Sequence, residues 1–222
     1  MYKMPDSCQI RNLADLYEKY FGGKVAATFV DVGAHDGHTF SNTYGLAEVG
    51  WNGVCYEPIP ELYERCNILH RKMRHNVVVL NSCVGDINGE ITLYIGENPT
   101  IDMETVERSP WGSTYDKGKF ILSPVVTLDT SLDELLAPEK FEVLSIDVEG
   151  AELQVLSGFD ILRWLPRMVI VETHENNADS RKSFHADKIN NYFADKPYVK
   201  IQVDGLNTIW IHEDLNTTQP SD

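Results

Sequence analysis

The chain has 222 residues, of which 42% are hydrophobic and 24% charged, and its formal net charge at pH 7 is -15. This composition is that of one globular domain, and the negative charge disfavours nucleic acid and anionic membrane surfaces as partners because both repel it. No apolar run approaches the ~20 residues of a membrane span, and the amino terminus lacks the pattern of a signal peptide. The four cysteines show no Cys-x-x-Cys spacing, which indicates reduced thiols in a cytoplasmic protein.

Strand and helix patterns alternate along most of the chain. Residues 1–22 contain an amphipathic helix with one apolar face, formed by Leu13, Leu16, Tyr17 and Tyr20. Short apolar runs rich in β-branched or aromatic residues then predict strands buried on both faces, at residues 28–32, 53–56, 77–81, 141–147 and 168–172. Between and after them, helical spacing is found at residues 38–49, 60–73, 149–159 and 180–193. This alternation predicts an α/β fold, with helices on both faces of a mostly parallel sheet.

Two more strands are predicted after the last helix, at residues 198–203 and 208–212. The Asp-Gly-Leu-Asn sequence between them is typical of a tight turn. A hairpin at this place requires one strand to run antiparallel to the rest of the sheet.

The remaining segments lie at the two ends of the chain and in one long loop. Residues 96–119 are polar, contain two prolines and have no clear period, which is typical of a functional lid or of a disordered segment. We expect a single domain (23–214), which contains a lid-like segment (96–120). An amino-terminal helical extension (1–22) precedes the domain, and a flexible tail (215–222) follows it.

The loop after the first predicted strand reads Asp-Val-Gly-Ala-His-Asp-Gly, from Asp31 to Gly37. In open α/β sheets, ligands bind at the carboxyl ends of strands, where this loop lies. A dinucleotide-binding loop carries a middle glycine that lets the backbone approach a pyrophosphate. Here Ala34 and His35 occupy that position, next to Gly33, which disfavours a nicotinamide-dependent oxidoreductase and favours an adenosine ligand without phosphate, such as S-adenosylmethionine. Its carboxylate can accept from amides at the helix start, and its amino group can donate to Asp31, although this residue can also serve only as a helix cap.

Further candidate cofactor residues follow at the next two strand ends. Glu57 lies about 20 residues past the glycine loop, where a carboxylate accepts from both hydroxyls of a ribose. Ser82 and Cys83 are candidates to flank the adenine, and Asp86 is a candidate to accept from its exocyclic amine. Each residue has a structural explanation when taken alone, since Glu57 before Pro58 can simply end a strand. Together, at these spacings, they predict a cofactor site.

Five segments between Phe29 and His174 read FVDVGAHDG, YEPIPELYERC, VVTLDTSLDELL, LSIDVEGAELQVLSGF and VIVETH. In order and approximate spacing they resemble the FkbM family of S-adenosylmethionine-dependent methyltransferases. The resemblance implies a Rossmann-like class I methyltransferase sheet of seven strands, the last of them antiparallel. It also implies O-methylation of a hydroxyl on a sugar, glycan or glycosylated natural product, and it assigns the cofactor to Asp31, Gly33, Gly37 and Glu57.

Methyl transfer to a hydroxyl needs alignment and a base, which contribute up to ~7–11 kcal/mol and ~10²–10⁴-fold respectively. In the class I strand order, Asp147 and the pair Glu172 and His174 end adjacent strands, about 4.8 Å apart, so these side chains should converge. His174 is the first candidate for the base, because a neutral imidazole is basic at physiological pH. Asp147 can orient it or accept the proton itself. Glu149, near the start of the next predicted helix, can hold the acceptor or accept from helix amides.

Two alternatives remain open. Asp147, Glu172 and His174 also form an oxygen-and-nitrogen ligand set that suits magnesium or manganese, which would activate the acceptor hydroxyl. A metal-assisted O-methyltransferase of another small molecule is therefore one alternative, and a non-catalytic S-adenosylmethionine-binding module is the other. The predicted partner is a small-molecule or glycan acceptor. Trp111 and Tyr115 of the lid-like segment are candidates to bind it, because aromatic rings pack on the CH faces of a pyranose.

Overall fold

The computed structural model describes residues 2–24, 26–94, 100–101, 120–175 and 180–216. Trp111 and Tyr115, the predicted acceptor residues, lie outside these ranges, as does most of the lid-like segment. Among the described residues, no helix is both long enough and apolar enough to cross a membrane.

Strands and helices alternate in the structure. In chain order the strands are β1 (Thr28–Val32), β2 (Asn52–Tyr56), β3 (Val77–Leu80), β4 (Cys83–Val84), β5 (Gly89–Tyr94), β6 (Thr100–Ile101), β7 (Phe120–Val126), β8 (Val143–Ile146), β9 (Met168–Glu172), β10 (Tyr198–Val203) and β11 (Asn207–His212). The helices are α1 (Leu13–Phe21), α2 (Tyr44–Glu48), α3 (Pro60–Met73), α4 (Leu128–Glu134), α5 (Glu152–Ser157), α6 (Ile161–Trp164), α7 (Ser180–Phe193) and α8 (Glu213–Asn216).

The main sheet has seven strands in the order β10-β11-β9-β8-β1-β2-β3. Strands β3, β2, β1, β8 and β9 pair in parallel, whereas β11 is antiparallel to both β9 and β10. The predicted α/β sheet, with its antiparallel last strand, is therefore confirmed. The strand order reverses at β1, which lies between β2 and β8, and such a reversal opens a crevice at the carboxyl ends of the strands.

Helix α1 completes the core on one face of the sheet. Leu13 and Tyr17 are fully buried against sheet residues such as Phe29 and Ile170. The Tyr17 hydroxyl donates to the backbone oxygen of Asn42 at 2.8 Å. On the opposite face of the sheet, α4 to α7 cover a second apolar cluster. The amino-terminal residues thus pack directly against the strands.

A second, four-stranded sheet in the order β4-β7-β5-β6 was not predicted. Its longest contact is the antiparallel pair β5–β7, from Gly89↔Val125 to Tyr94↔Phe120. Strand β7 alternates between exposed and buried residues and contains Pro124, so it lacks the continuous apolar run of a strand buried on both faces.

Two predicted helices begin later than expected. Residues 38–43 form turns and bends, because Phe40 has a φ of +60°, in the left-handed region, which interrupts a right-handed helix. The helix predicted from residue 149 begins at Glu152, since Glu149 and Gly150 have φ angles of +55° and +106°. In both places a tight turn, rather than a helix, follows the strand end.

Candidate active site

Two clefts meet at the carboxyl edge of the main sheet. The first is mostly apolar and includes Glu57, Ser82 and Cys83 in its lining. The second is more polar and is lined by residues that include Asp31 and His35. Both clefts are lined by the same three residues at their common boundary, which are Gly33, Asp147 and Glu149.

Gly33 allows the glycine loop to touch the end of β8. Its φ is +89°, and a Cβ atom at this position would lie 1.7 Å from the backbone oxygen of Asp147. Any side chain would therefore force the loop away from the strand. The Gly33 amide instead donates to the backbone oxygen of Tyr56 at 3.0 Å, which ties the loop to β2.

Glu57 lies at the base of the first cleft and is only 5% exposed. Its two carboxylate oxygens accept from the amides of His35 and Ile59, at 2.9 and 2.8 Å. Burial raises the pKa of Glu57 to about 7, although these two hydrogen bonds act in the opposite direction. Each oxygen keeps a lone pair, so the carboxylate can still accept from the hydroxyls of a diol.

The rest of the first cleft suits a flat aromatic base. Ser82 and Cys83 line it together with the apolar side chains of Ile59, Val84 and Leu93. The Cys83 thiol donates to the Ser123 hydroxyl at 3.6 Å, and burial raises its pKa to about 11, so it is protonated at neutral pH. Its environment is that of a packing residue.

Two predicted cofactor residues lie outside the lining of both clefts. Asp86 is exposed, after the end of β4. Gly37 faces α3 instead: with a φ of +79°, a Cβ atom there would lie 2.9 Å from the Cys66 sulfur and 3.0 Å from Nε2 of His70. The loop therefore needs Gly37 for packing against the helix.

Asp31 lies in the second cleft and is 5% exposed. Its carboxylate accepts from the Thr43 hydroxyl at 2.6 Å, and burial raises its pKa to about 6. Gln9 also lines the second cleft, and its side-chain oxygen accepts from the side-chain amide of Asn207 at 3.0 Å. Sequence reasoning missed Gln9 because no motif surrounds it and its partner lies at the opposite end of the chain.

Three carboxylates converge at the end of β8 and β9, as predicted for two of them. One carboxylate oxygen from each of Asp147, Glu149 and Glu172 lies within 4.8 Å of the other two. Burial and then the neighbouring carboxylate of Glu172 raise the pKa of Asp147 well above its ordinary value. Nε2 of His174 lies 3.1 Å from Oε1 of Glu172. Asp147 and Glu149 line the clefts, whereas Glu172 and His174 lie behind them and outside the lining.

Solved structures with the same architecture are methyltransferases by description. A candidate caffeoyl-CoA O-methyltransferase from Staphylococcus aureus has 11% sequence identity and a TM-score of 0.52, with 95% of this chain and 86% of that chain covered. A candidate O-methyltransferase from Klebsiella pneumoniae has 13% identity and a TM-score of 0.53, with coverage of 94% and 83%. The strand order and this similarity define a class I methyltransferase fold.

The family is defined by a more specific match. The model of the methyltransferase FkbM domain matches residues 31–199, from the glycine loop to β10. The chain therefore belongs to the FkbM methyltransferase family, and the predicted family is confirmed. No curated protein sequence matches the chain.

Proposed function

We propose that the protein is an S-adenosylmethionine-dependent O-methyltransferase that acts on a hydroxyl of a sugar, glycan or glycosylated natural product. Family and fold support methyl transfer. The observation that best supports transfer to a hydroxyl is the position of Asp147 and Glu149, which line both clefts at their boundary. Carboxylates at this boundary can act on a group held beside either cleft.

The two clefts fit the two ends of S-adenosylmethionine. In the first cleft, Glu57 would accept from the ribose hydroxyls while Ile59, Val84 and Leu93 surround the base. In the second cleft, Asp31 would accept from the amino group. When bound, the cofactor supplies a methyl group on a positively charged sulfur. This sulfur is the leaving group, and it needs no acid because it departs as a neutral thioether.

Asp147 and Glu172 are the groups that manage the acceptor's proton. Two carboxylates this close do not both ionise readily, and burial together with the Glu172 carboxylate raises the pKa of Asp147. The raised proton affinity makes the ionised member a stronger base than an isolated carboxylate. His174, next to Glu172, is placed to hold or relay the proton behind the cleft. Asp147 contacts the acceptor and acts as the base in its ionised form, in which the proton of the cluster lies on Glu172 or His174.

The decisive experiment is mass spectrometry of a panel of glycosides incubated with the protein and methyl-labelled S-adenosylmethionine. We expect a label on a sugar oxygen, and we expect Asp147→Asn to lower turnover by about 10²–10⁴-fold, the usual contribution of a general base. Asp187→Asn is the matched control, since Asp187 is exposed on α7. Label on nitrogen or sulfur would contradict O-methylation. Cofactor binding with no transfer to any glycoside would favour a non-catalytic binding module.

A metal-assisted reaction is the second candidate, and the three converging carboxylates favour it. Oxygen ligands at such spacing suit magnesium or manganese, which would lower the pKa of the acceptor hydroxyl. Relative to the predicted set, Glu149 takes the place of His174 in the cluster. Under the leading proposal, excess EDTA leaves turnover unchanged. Loss of turnover that added magnesium or manganese restores would establish the metal-assisted reaction instead.

A further inference from the structure

Glu152 is a buried carboxylate that closely follows the cleft residues Asp147 and Glu149 in sequence. It is the first residue of α5 and is only 1% exposed. One carboxylate oxygen, Oε1, accepts from the backbone amides of Val148 and Gly150, at 3.2 and 3.0 Å. The other, Oε2, lies 2.7 Å from Nε2 of His185 on α7. A single side chain therefore connects the turn after β8 to a helix distant in sequence.

The turn that Glu152 holds has an unfavourable backbone conformation. Glu149 has a φ of +55°, in the left-handed region that residues with a side chain rarely adopt, and Gly150 follows with +106°. Such a conformation persists only where the surrounding structure fixes it. Here the amides on either side of Glu149 both point at the Glu152 carboxylate. The same turn carries Asp147 and Glu149 to the clefts.

The charge of Glu152 makes these contacts strong. Burial alone would raise the pKa of Glu152, but the hydrogen bond and charge of His185, together with the Gly150 amide, lower it instead. The carboxylate is therefore ionised at neutral pH. Hydrogen bonds to an ionised acceptor are about twice as strong as those between neutral groups, so the ionised form holds the turn best.

We propose that Glu152 and His185 form a positioning pair, which fixes the turn of residues 147–150 so that Asp147 and Glu149 face the clefts. Neither member of the pair lines a cleft. The effect of the pair on turnover rests on the proposed methyl transfer. Its effect on the turn is a property of the fold and can be measured without a substrate.

Amide hydrogen exchange in the full chain tests the structural part. Glu152→Gln keeps the size of the side chain but removes its charge, and we expect the amides of Val148 and Gly150 to exchange at least about tenfold faster. His185→Gln should have the same effect to a smaller extent, and it provides the answer if Glu152→Gln does not fold. Exchange of both amides at the native rate in a folded variant would overturn the proposal.

Glu142 provides a matched control. It is also a buried glutamate, which accepts from the Thr28 amide at 2.9 Å and from Nζ of Lys24 at 2.7 Å, just before β8 begins. Glu142→Gln therefore removes a similar set of contacts at the opposite end of the same strand. We expect this variant to leave the exchange of Val148 and Gly150 unchanged.

Kinetics with a glycoside that the native protein methylates test the functional part. We expect Glu152→Gln to lower kcat by about 10²-fold, the cost of a misplacement of roughly 1 Å, with KM for S-adenosylmethionine changed less than about twofold. A loss of turnover no greater than in Glu142→Gln would overturn the positioning role. If the native protein methylates no glycoside, the proposed function fails, and amide exchange still decides whether the pair fixes the turn.

Discussion

At the scale of single residues, Glu57 and Asp31 are buried carboxylates whose ionisation falls near neutral pH. Burial raises the pKa of Glu57 to about 7 and that of Asp31 to about 6. In the proposed complex both residues act as acceptors, and a carboxyl group accepts fully only when it is ionised. Cofactor binding should therefore be coupled to pH over this range.

We expect the affinity for S-adenosylhomocysteine, the demethylated cofactor, to fall as the pH is lowered from about 8 to about 6. Glu57 is ionised above its pKa and protonated below it, so about one pH unit below the pKa the ionised fraction, and with it the affinity, is about tenfold lower. Calorimetry in buffers of equal ionic strength measures this change. Glu57→Gln should bind weakly at pH 8 and lose the step near pH 7. An equal Kd at the two pH values would contradict the assignment.

At the scale of elements, the predictable parts were those with a continuous local pattern. β1 and β9 were predicted with the residues they have, because each is a short segment rich in apolar and β-branched residues. β5 and β7 were missed because they are only partly buried and lack a continuous apolar run. α2 was predicted too long because Phe40 has a φ of +60°, which interrupts a right-handed helix and which apolar periodicity does not reveal.

Some residues of the candidate site could also be predicted from the sequence, and others could not. Glu57 and Asp147 were predicted because the end of a parallel strand has a defined place in this fold, and the structure brings both to the clefts. Gln9 reaches the second cleft through tertiary packing, for which the sequence carries no local signal. Glu152 holds the preceding turn with its side chain, a role that its place at the start of a helix does not reveal. Contacts of that kind depend on the exact backbone path.

The packing of α1 against the main sheet gives a prediction about stability. Leu13 is fully buried, whereas Leu16 on the same predicted apolar face is only half-buried. We expect Leu13→Ala to lower the free energy of unfolding by about 2–5 kcal/mol, and Leu16→Ala by clearly less, because the cost follows the apolar contact removed and the cavity left. Urea denaturation of both variants measures the difference. Equal effects would mean that α1 packs with a different face towards the strands.

At the scale of the whole molecule, the net charge of -15 sets a long-range preference among acceptors. A negative protein repels an anionic substrate and leaves the encounter with a neutral one almost unaffected. Arg163, an exposed cation on α6, donates to Asp133 and Glu139, so its charge is offset within the described part of the chain. For the proposed glycoside acceptor, the net charge therefore favours a neutral molecule over a phosphorylated or nucleotide-linked one.

Salt dependence tests this preference with a matched pair of substrates, which are a neutral glycoside that the protein methylates and the phosphate ester of the same glycoside. We expect kcat/KM for the neutral glycoside to change less than about twofold between roughly 20 and 300 mM NaCl, because there is no charge to screen. The phosphate ester should react more slowly at low salt and improve as salt is added, since screening over a Debye length of about 10 Å weakens the repulsion. A phosphate ester that reacts faster, and is slowed by salt, would instead require a local basic pocket strong enough to overcome the charge of the whole molecule.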